Sequence, residues 1–204
     1  MEKILEQLNY FTNEDMRKFV GTQNADIYLS RYTKNGDIIR LKRGIYITKK
    51  RLDLLEKNQK FDAYVYYIAT NILITPSYLS GEYILAKNNI IIENVYAITA
   101  ITTKKTNMIT NVFGRFIYKN IDEKLFWWYE TKKNGDFIYF QAYPEKALLD
   151  RIRLKKDLVL QLNYFKELRL ELDHINFDRL QEFAKKFNKQ KINQAFILLK
   201  KLKW

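Results

Sequence analysis

The chain reads as an α+β protein: a winged helix-turn-helix over residues 1–52, then a mixed, mostly antiparallel α+β domain over 53–204 that ends in a helical tail from about 155. Three observations predict this. Helix-period apolar positions fill the first 35 residues, two alternating runs meet at a basic tip in "IIRLKRGIYIT", and β-branched alternating segments precede a long helical stretch.

In order along the chain, Ile4, Leu5 and Leu8 predict a short amphipathic helix over Glu2 to Asn9. "TNEDMRKFVG" offers Thr12 as N-cap, acids in the first turn where the helix dipole favours them, and Gly21 as stop, so a second helix runs over Asn13 to Val20. "TQNADIYLSRYTKNGD" sets Ile27, Leu29 and Tyr32 among polar residues and stops at Asn35-Gly36, which predicts a third helix over Asn24 to Lys34. The alternation of Ile38, Arg40 and Lys42 and the return at Ile45 and Ile47 predict a tight hairpin.

Helices followed by a basic hairpin make a DNA-reading module in which the third helix enters the major groove. Gln23, Asn24, Tyr28, Arg31 and Lys34 are then the candidates for base edges and phosphates. Arg40, Lys42, Arg43, Lys49 and Lys50 are candidates for the flanking backbone, with Gly44 allowing close approach. Asp37 is the only acid between Lys34 and Arg51. The alternative is a solvated hairpin that is basic by chance.

Beyond the hairpin, Leu52 to Asn71 is helical with an interruption near Asn58. "ILIT" predicts a short strand turning at Pro76, and Ser77 or Ser80 would cap a helix over Ser80 to Lys87. "VYAITAITTKK", "FGRFIYKNI" and the two arms of "KLFWWYETKKNGDFIYFQAY", joined at Asn134-Gly135, predict strands. "YPEKALLD" opens a helix with Pro144 in its first turn, and the rest is helical with a break from Asp173 to Asp178. The Thr102, Thr103, Lys104, Lys105 run is a second candidate for phosphate contact.

Net charge of +13 favours a polyanionic partner, although an A/T-rich genome would also supply many lysines. The absence of Cys excludes disulfides and thiolate chemistry and fits a cytoplasmic protein. The N-terminus lacks a signal-peptide pattern, and no segment reads as membrane-spanning. His174 is the sole histidine, so a His-based triad or His-rich metal site is excluded; no cofactor and no metal are expected. A carboxylate nuclease built on Asp136, Glu145 and Lys146 is the enzymatic alternative, and the Phe126, Trp127, Trp128, Tyr129 run offers a protein-docking alternative.

In its order of motifs, "RLKRGIYI", "PSYLSGEYILAKNNIIIENVYAITAITTKKT", "FGRFIYKNI" and "AYPEKALLD", the chain up to about Arg153 resembles the AbiE-type antitoxins of bacterial type IV toxin-antitoxin systems. The resemblance implies a non-enzymatic, DNA-binding repressor of its own operon, with operator duplex as partner and self-association on DNA. It also implies a functionally linked nucleotidyltransferase-like toxin, countered without a stable complex; the alternative is a free-standing winged-helix transcriptional regulator without a toxin. The wing match falls on Arg40, Lys42, Arg43, Gly44 and Tyr46. In the second domain it falls on Pro76, Ser77, Tyr78, Thr102, Thr103, Lys104, Lys105, Gly114, Pro144, Glu145, Lys146 and Asp150. Gly81 and Glu82 depart from the family pattern, and the tail beyond Lys155 has no counterpart.

Overall fold

The computed structural model describes residues 2–155 and 159–203; Met1 and, within the expected tail, residues 156–158 and Trp204 lie outside the described residues. The chain is α+β with two sheets and a helical C-terminal part. It begins α1 (Glu2–Leu5), β1 (Phe11–Thr12), α2 (Asn13–Val20), α3 (Ala25–Asn35), β2 (Ile38–Lys42) and β3 (Ile45–Thr48).

The Thr12 hydroxyl accepts the Asp15 N–H while the Asp15 carboxylate accepts the Thr12 N–H at 2.9 Å, a reciprocal capping box at the start of α2. At the end of α3, Gly36 takes a left-handed conformation that returns its N–H to the Tyr32 and Thr33 carbonyls. Helix α1 stops at Leu5 rather than Asn9, because the chain must turn to bring Phe11 opposite Tyr46 in the first sheet. Two residues are too few to show a period of two, so β1 had no sequence signature.

The three-stranded sheet, ordered β1-β3-β2, is buried on both sides. Phe11, Ile38 and Tyr46 join Leu5, Met16, Ala25 and Leu29 in a small N-terminal core. Leu41 and Ile47 point the other way, into the large core of the rest of the chain. The expected boundary near residue 52 is therefore crossed by apolar packing. Polar contacts cross it too: the Tyr64 hydroxyl donates to the Asn9 carbonyl at 2.8 Å, and Arg51 Nη2 donates to the Asn9 side chain at 2.8 Å.

Helices α4 (Lys49–Lys57) and α5 (Phe61–Ile68) are interrupted where expected, and a single π-helical turn, Ala69–Leu73, follows. The short strand lies after Pro76, not before it: β4 is Ser77–Leu79. The second sheet adds β5 (Ile98–Thr102), β6 (Asn107–Asn111), β7 (Gly114–Asn120), β8 (Tyr129–Asn134) and β9 (Phe137–Ala142), in the order β6-β7-β5-β4-β9-β8. It is mixed: β5 runs parallel to β7 and β4 parallel to β9, while the other pairings are antiparallel. The unexpected β6 is a polar, mostly exposed edge strand, so no buried face imposes alternation on its sequence.

Helix α6 (Glu82–Lys87) starts after Gly81 rather than at Ser80. Neither serine caps it, because the Ser80 hydroxyl donates to Asp150 at 2.8 Å and the Ser77 hydroxyl to the Ile74 carbonyl at 2.7 Å. The helical part comprises α7 (Pro144–Leu154), α8 (Leu162–Glu167), α9 (Phe177–Phe187) and α10 (Gln190–Lys203). Trp128 stacks on Phe183 and Trp127 meets Phe187 edge-on against α9, while Phe126 and Tyr129 pack on Tyr78 of β4, which commits the aromatic run to internal packing. Among the described residues no helix is long and apolar enough to cross a membrane.

Tyr64, Tyr78 and Tyr118 are fully enclosed, and burial pushes each hydroxyl's pKa well above the ordinary tyrosine value. Up to about pH 10, where free tyrosine titrates, folded and unfolded states hold these protons alike. At higher pH the unfolded chain releases protons that the folded chain keeps, so this contribution to stability falls as pH rises. The urea midpoint is expected to drop steadily above about pH 10, with the tyrosinate absorbance of these rings rising only as helical circular dichroism is lost. Complete tyrosine ionisation in a still-helical protein would contradict it.

Candidate nucleic-acid interface

Helices α2 and α3 are joined by the four residues Gly21–Asn24, and the Gly21 N–H closes α2 on the Arg17 carbonyl at 2.9 Å. The pair packs through Met16, Ala25 and Leu29. With Ala25 and Leu29 inside, the opposite stripe of α3 faces solvent: Ile27, Ser30, Arg31 and Lys34, at i, i+3, i+4 and i+7. Gln23 and Asn24 are exposed at its N-terminal end, and the Asn24 amide donates back to the Val20 carbonyl at 3.4 Å. Tyr28 is half-buried and stacks on Tyr32, so its ring lies along the helix rather than reaching outward.

Ile27, expected on the inner face, is 67% exposed in the middle of the polar stripe. An exposed isoleucine flanked by Gln23 and Arg31 suits contact with a thymine methyl group. The signal in the sequence was its spacing of four from both of them.

The hairpin departs from expectation at its tip. The Lys42 ammonium turns inward and donates to the Ile72 and Leu73 carbonyls at 2.6 and 2.9 Å, at the end of the π-helical turn. Desolvation there holds its pKa below the usual lysine value. Those carbonyls are helix-end acceptors that need partners, and Lys42 supplies one. Gly44 has φ of +77° at the turn, and its carbonyl accepts the Asn13 N–H at 3.2 Å, which ties the tip to α2. Its positive φ closes this turn.

Lys49 pairs with Asp53 at 2.8 Å and Lys50 with Glu6 at 2.7 Å. Both pairs are open to solvent, so they reduce the local positive charge without removing it. Among the described residues no ion pair engages Arg31, Lys34, Arg40 or Arg43, and all four are exposed. Arg40 and Arg43 line a groove of about 920 Å³ whose far wall includes Met108 and Val112. The Asn111 amide bridges that groove to the Leu41 carbonyl at 3.0 Å.

The second group of candidates divides. Ser77, Tyr78 and Thr102 are buried, with hydroxyls donated to the Ile74 carbonyl, the Asp150 carboxylate and the Pro76 carbonyl. They build the interior, with these hydroxyls engaged inside the chain. Lys104 and Lys105 are exposed beyond the end of β5, and the Asn120 amide holds the Thr103 and Lys104 carbonyls at 3.2 and 2.8 Å.

The residues of the nuclease alternative are not brought together. Asp136 sits in the exposed turn with its carboxylate 3.7 Å from Lys60. Buried Glu145 accepts the Asn176 N–H at 2.8 Å and lies 3.5 Å from Arg179 Nη1. Lys146 pairs with Asp150 in the core. Among the described residues no group of three His, Asp or Glu could hold a metal ion. The His174 Nδ1 lies 3.1 Å from the Asn89 carbonyl at the surface.

The chain matches no family model and no curated protein.

Replacing Lys42 by Met is expected to lower stability by about 1 kcal/mol, the scale of a partly exposed charged hydrogen bond, and to leave the salt dependence of DNA binding unchanged. Urea denaturation and gel shifts at several salt concentrations check both halves. A shallower salt slope in this variant would return Lys42 to the phosphates.

Proposed function

We propose that this chain is a sequence-specific DNA-binding regulator whose first six elements act as a winged helix-turn-helix. Helix α3 enters the major groove, and the short hairpin lies along the adjoining backbone. The observation that carries this reading is the solvent-facing stripe of Gln23, Ile27, Arg31 and Lys34 opposite a buried Ala25 and Leu29 face, continued on the hairpin by Arg40 and Arg43, exposed and without an ion pair among the described residues. The helix-turn-helix spacing and the order β1-β3-β2 support it as well.

Together with the resemblance to AbiE-type antitoxins, this supports our reading of the chain as an autoregulatory, non-enzymatic antitoxin that acts in the cytoplasm beside a nucleotidyltransferase-like toxin without forming a stable complex with it. Self-association would occur on repeated half-sites of the operator. The deciding experiment is a gel-shift titration against the DNA just upstream of its own gene and a scrambled duplex of equal length, at several salt concentrations. Preference for the upstream DNA that survives near-physiological salt supports the reading. Equal binding to both, erased by salt, reduces the basic surface to a general polyanion binder.

A further inference from the structure

A basic cavity in the second domain lies away from α3, where β4 leads into α6 and the last turn of α7 crosses β5 and β7. It has a volume of about 210 Å³ and is lined by Ser80, Glu82, Thr99, Lys119, Arg151 and Lys155 among others. Its neutral polar groups are already engaged. The Ser80 hydroxyl donates to Asp150, and the Thr99 hydroxyl donates to the Ser80 carbonyl while accepting the Tyr83 N–H.

Arg151 is only 8% exposed, and its guanidinium is clamped: Nε donates to Glu82 at 3.1 Å and Nη1 to the Tyr164 hydroxyl at 2.9 Å. Nη2 has no protein partner among the described residues. The Lys119 and Lys155 side chains are exposed at the same cavity, and among the described residues neither is ion-paired. Against these three cations stands, among the described residues, one carboxylate, Glu82, already shared with Arg151. The unfilled donors are therefore all cationic, and one of them is a planar fork held rigid by its other contacts, the arrangement that suits phosphate. The volume is below the roughly 300 Å³ at which pockets for drug-sized ligands begin.

The geometry points to a phosphate-binding pocket in the second domain, taking a free phosphate or the head of a phosphate monoester on Arg151, Lys119 and Lys155. This site is independent of the DNA-reading surface.

The test uses the full chain and a variant carrying Lys119→Gln with Lys155→Gln, both exposed positions whose change leaves the core intact. Calorimetric titrations with inorganic phosphate and with adenosine 5′-monophosphate are run against chloride at matched ionic strength, beside gel shifts with the upstream DNA. Saturable binding that weakens by about tenfold or more in the double variant, with DNA binding retained, supports the pocket. Tighter binding of the nucleotide than of phosphate identifies the monoester as the ligand. Absence of saturable binding, or equal affinity in the parent and the double variant, overturns the proposal.

Discussion

Replacing Asp150 by Ala is expected to destabilise the protein by about 3–5 kcal/mol, the cost of leaving a buried charge without its partner. Lys146 and Asp150 stand one turn apart on α7 with both side chains at 0% exposure. The Lys146 ammonium donates to Asp150 and to the Tyr78 hydroxyl at 2.8 Å, and Asp150 also accepts Tyr78 at 3.1 Å and Ser80 at 2.8 Å. The rings of Trp127 and Phe187 close over the ammonium at 5.1 and 5.0 Å.

Burial alone pushes the Lys146 pKa down, and the charge of Asp150 opposes that shift. Without Asp150 the ammonium either stays charged in an apolar pocket or gives up its proton, and each course costs stability. A Lys146→Met, Asp150→Leu double variant is expected to lose much less than the two single changes together, since it leaves no orphaned charge. Urea denaturation of the Lys146→Met and Asp150→Leu single variants and of the double variant closes the cycle. Additive losses would mean that the two groups do not act as a pair.

Arg31→Ala is expected to cost about 1–3 kcal/mol on one preferred duplex and little on scrambled DNA, the signature of a lost base contact. Arg43→Ala is expected to weaken binding to every duplex and to reduce the slope of log affinity against log salt by about 0.9, one phosphate contact. The contrast follows from position, with Arg31 central on the exposed stripe of α3 and Arg43 at the hairpin tip. Fluorescence-anisotropy titrations of both variants on both duplexes separate the two effects. The reverse pattern would put the hairpin in the groove and α3 on the backbone; no effect from either change would remove this surface from DNA binding.

Local signals decided much by themselves. Thr12 and Gly21 bound α2 because caps act within one turn, and Asn134-Gly135 joins β8 to β9 because a tight turn sets its own register. The exposed arginines of the candidate interface were likewise legible, since alternation and helical period assign faces without knowledge of partners. Tertiary structure decided what depends on distant chain. Lys42 and Arg43 are adjacent and chemically alike, yet one caps carbonyls thirty residues away and the other meets solvent. Ser77, Ser80 and Thr102 read as caps or surface hydroxyls until the folded sheet encloses them, where Asp150 and backbone carbonyls claim them. Sequence by itself determined the capped helices and the alternating strands, while the short or exposed strands β1, β4 and β6 came only with the packing. Only the packed structure decided which polar groups are consumed inside and which remain for a ligand, because hydrogen bonding between residues far apart in the chain leaves no periodic trace in either segment.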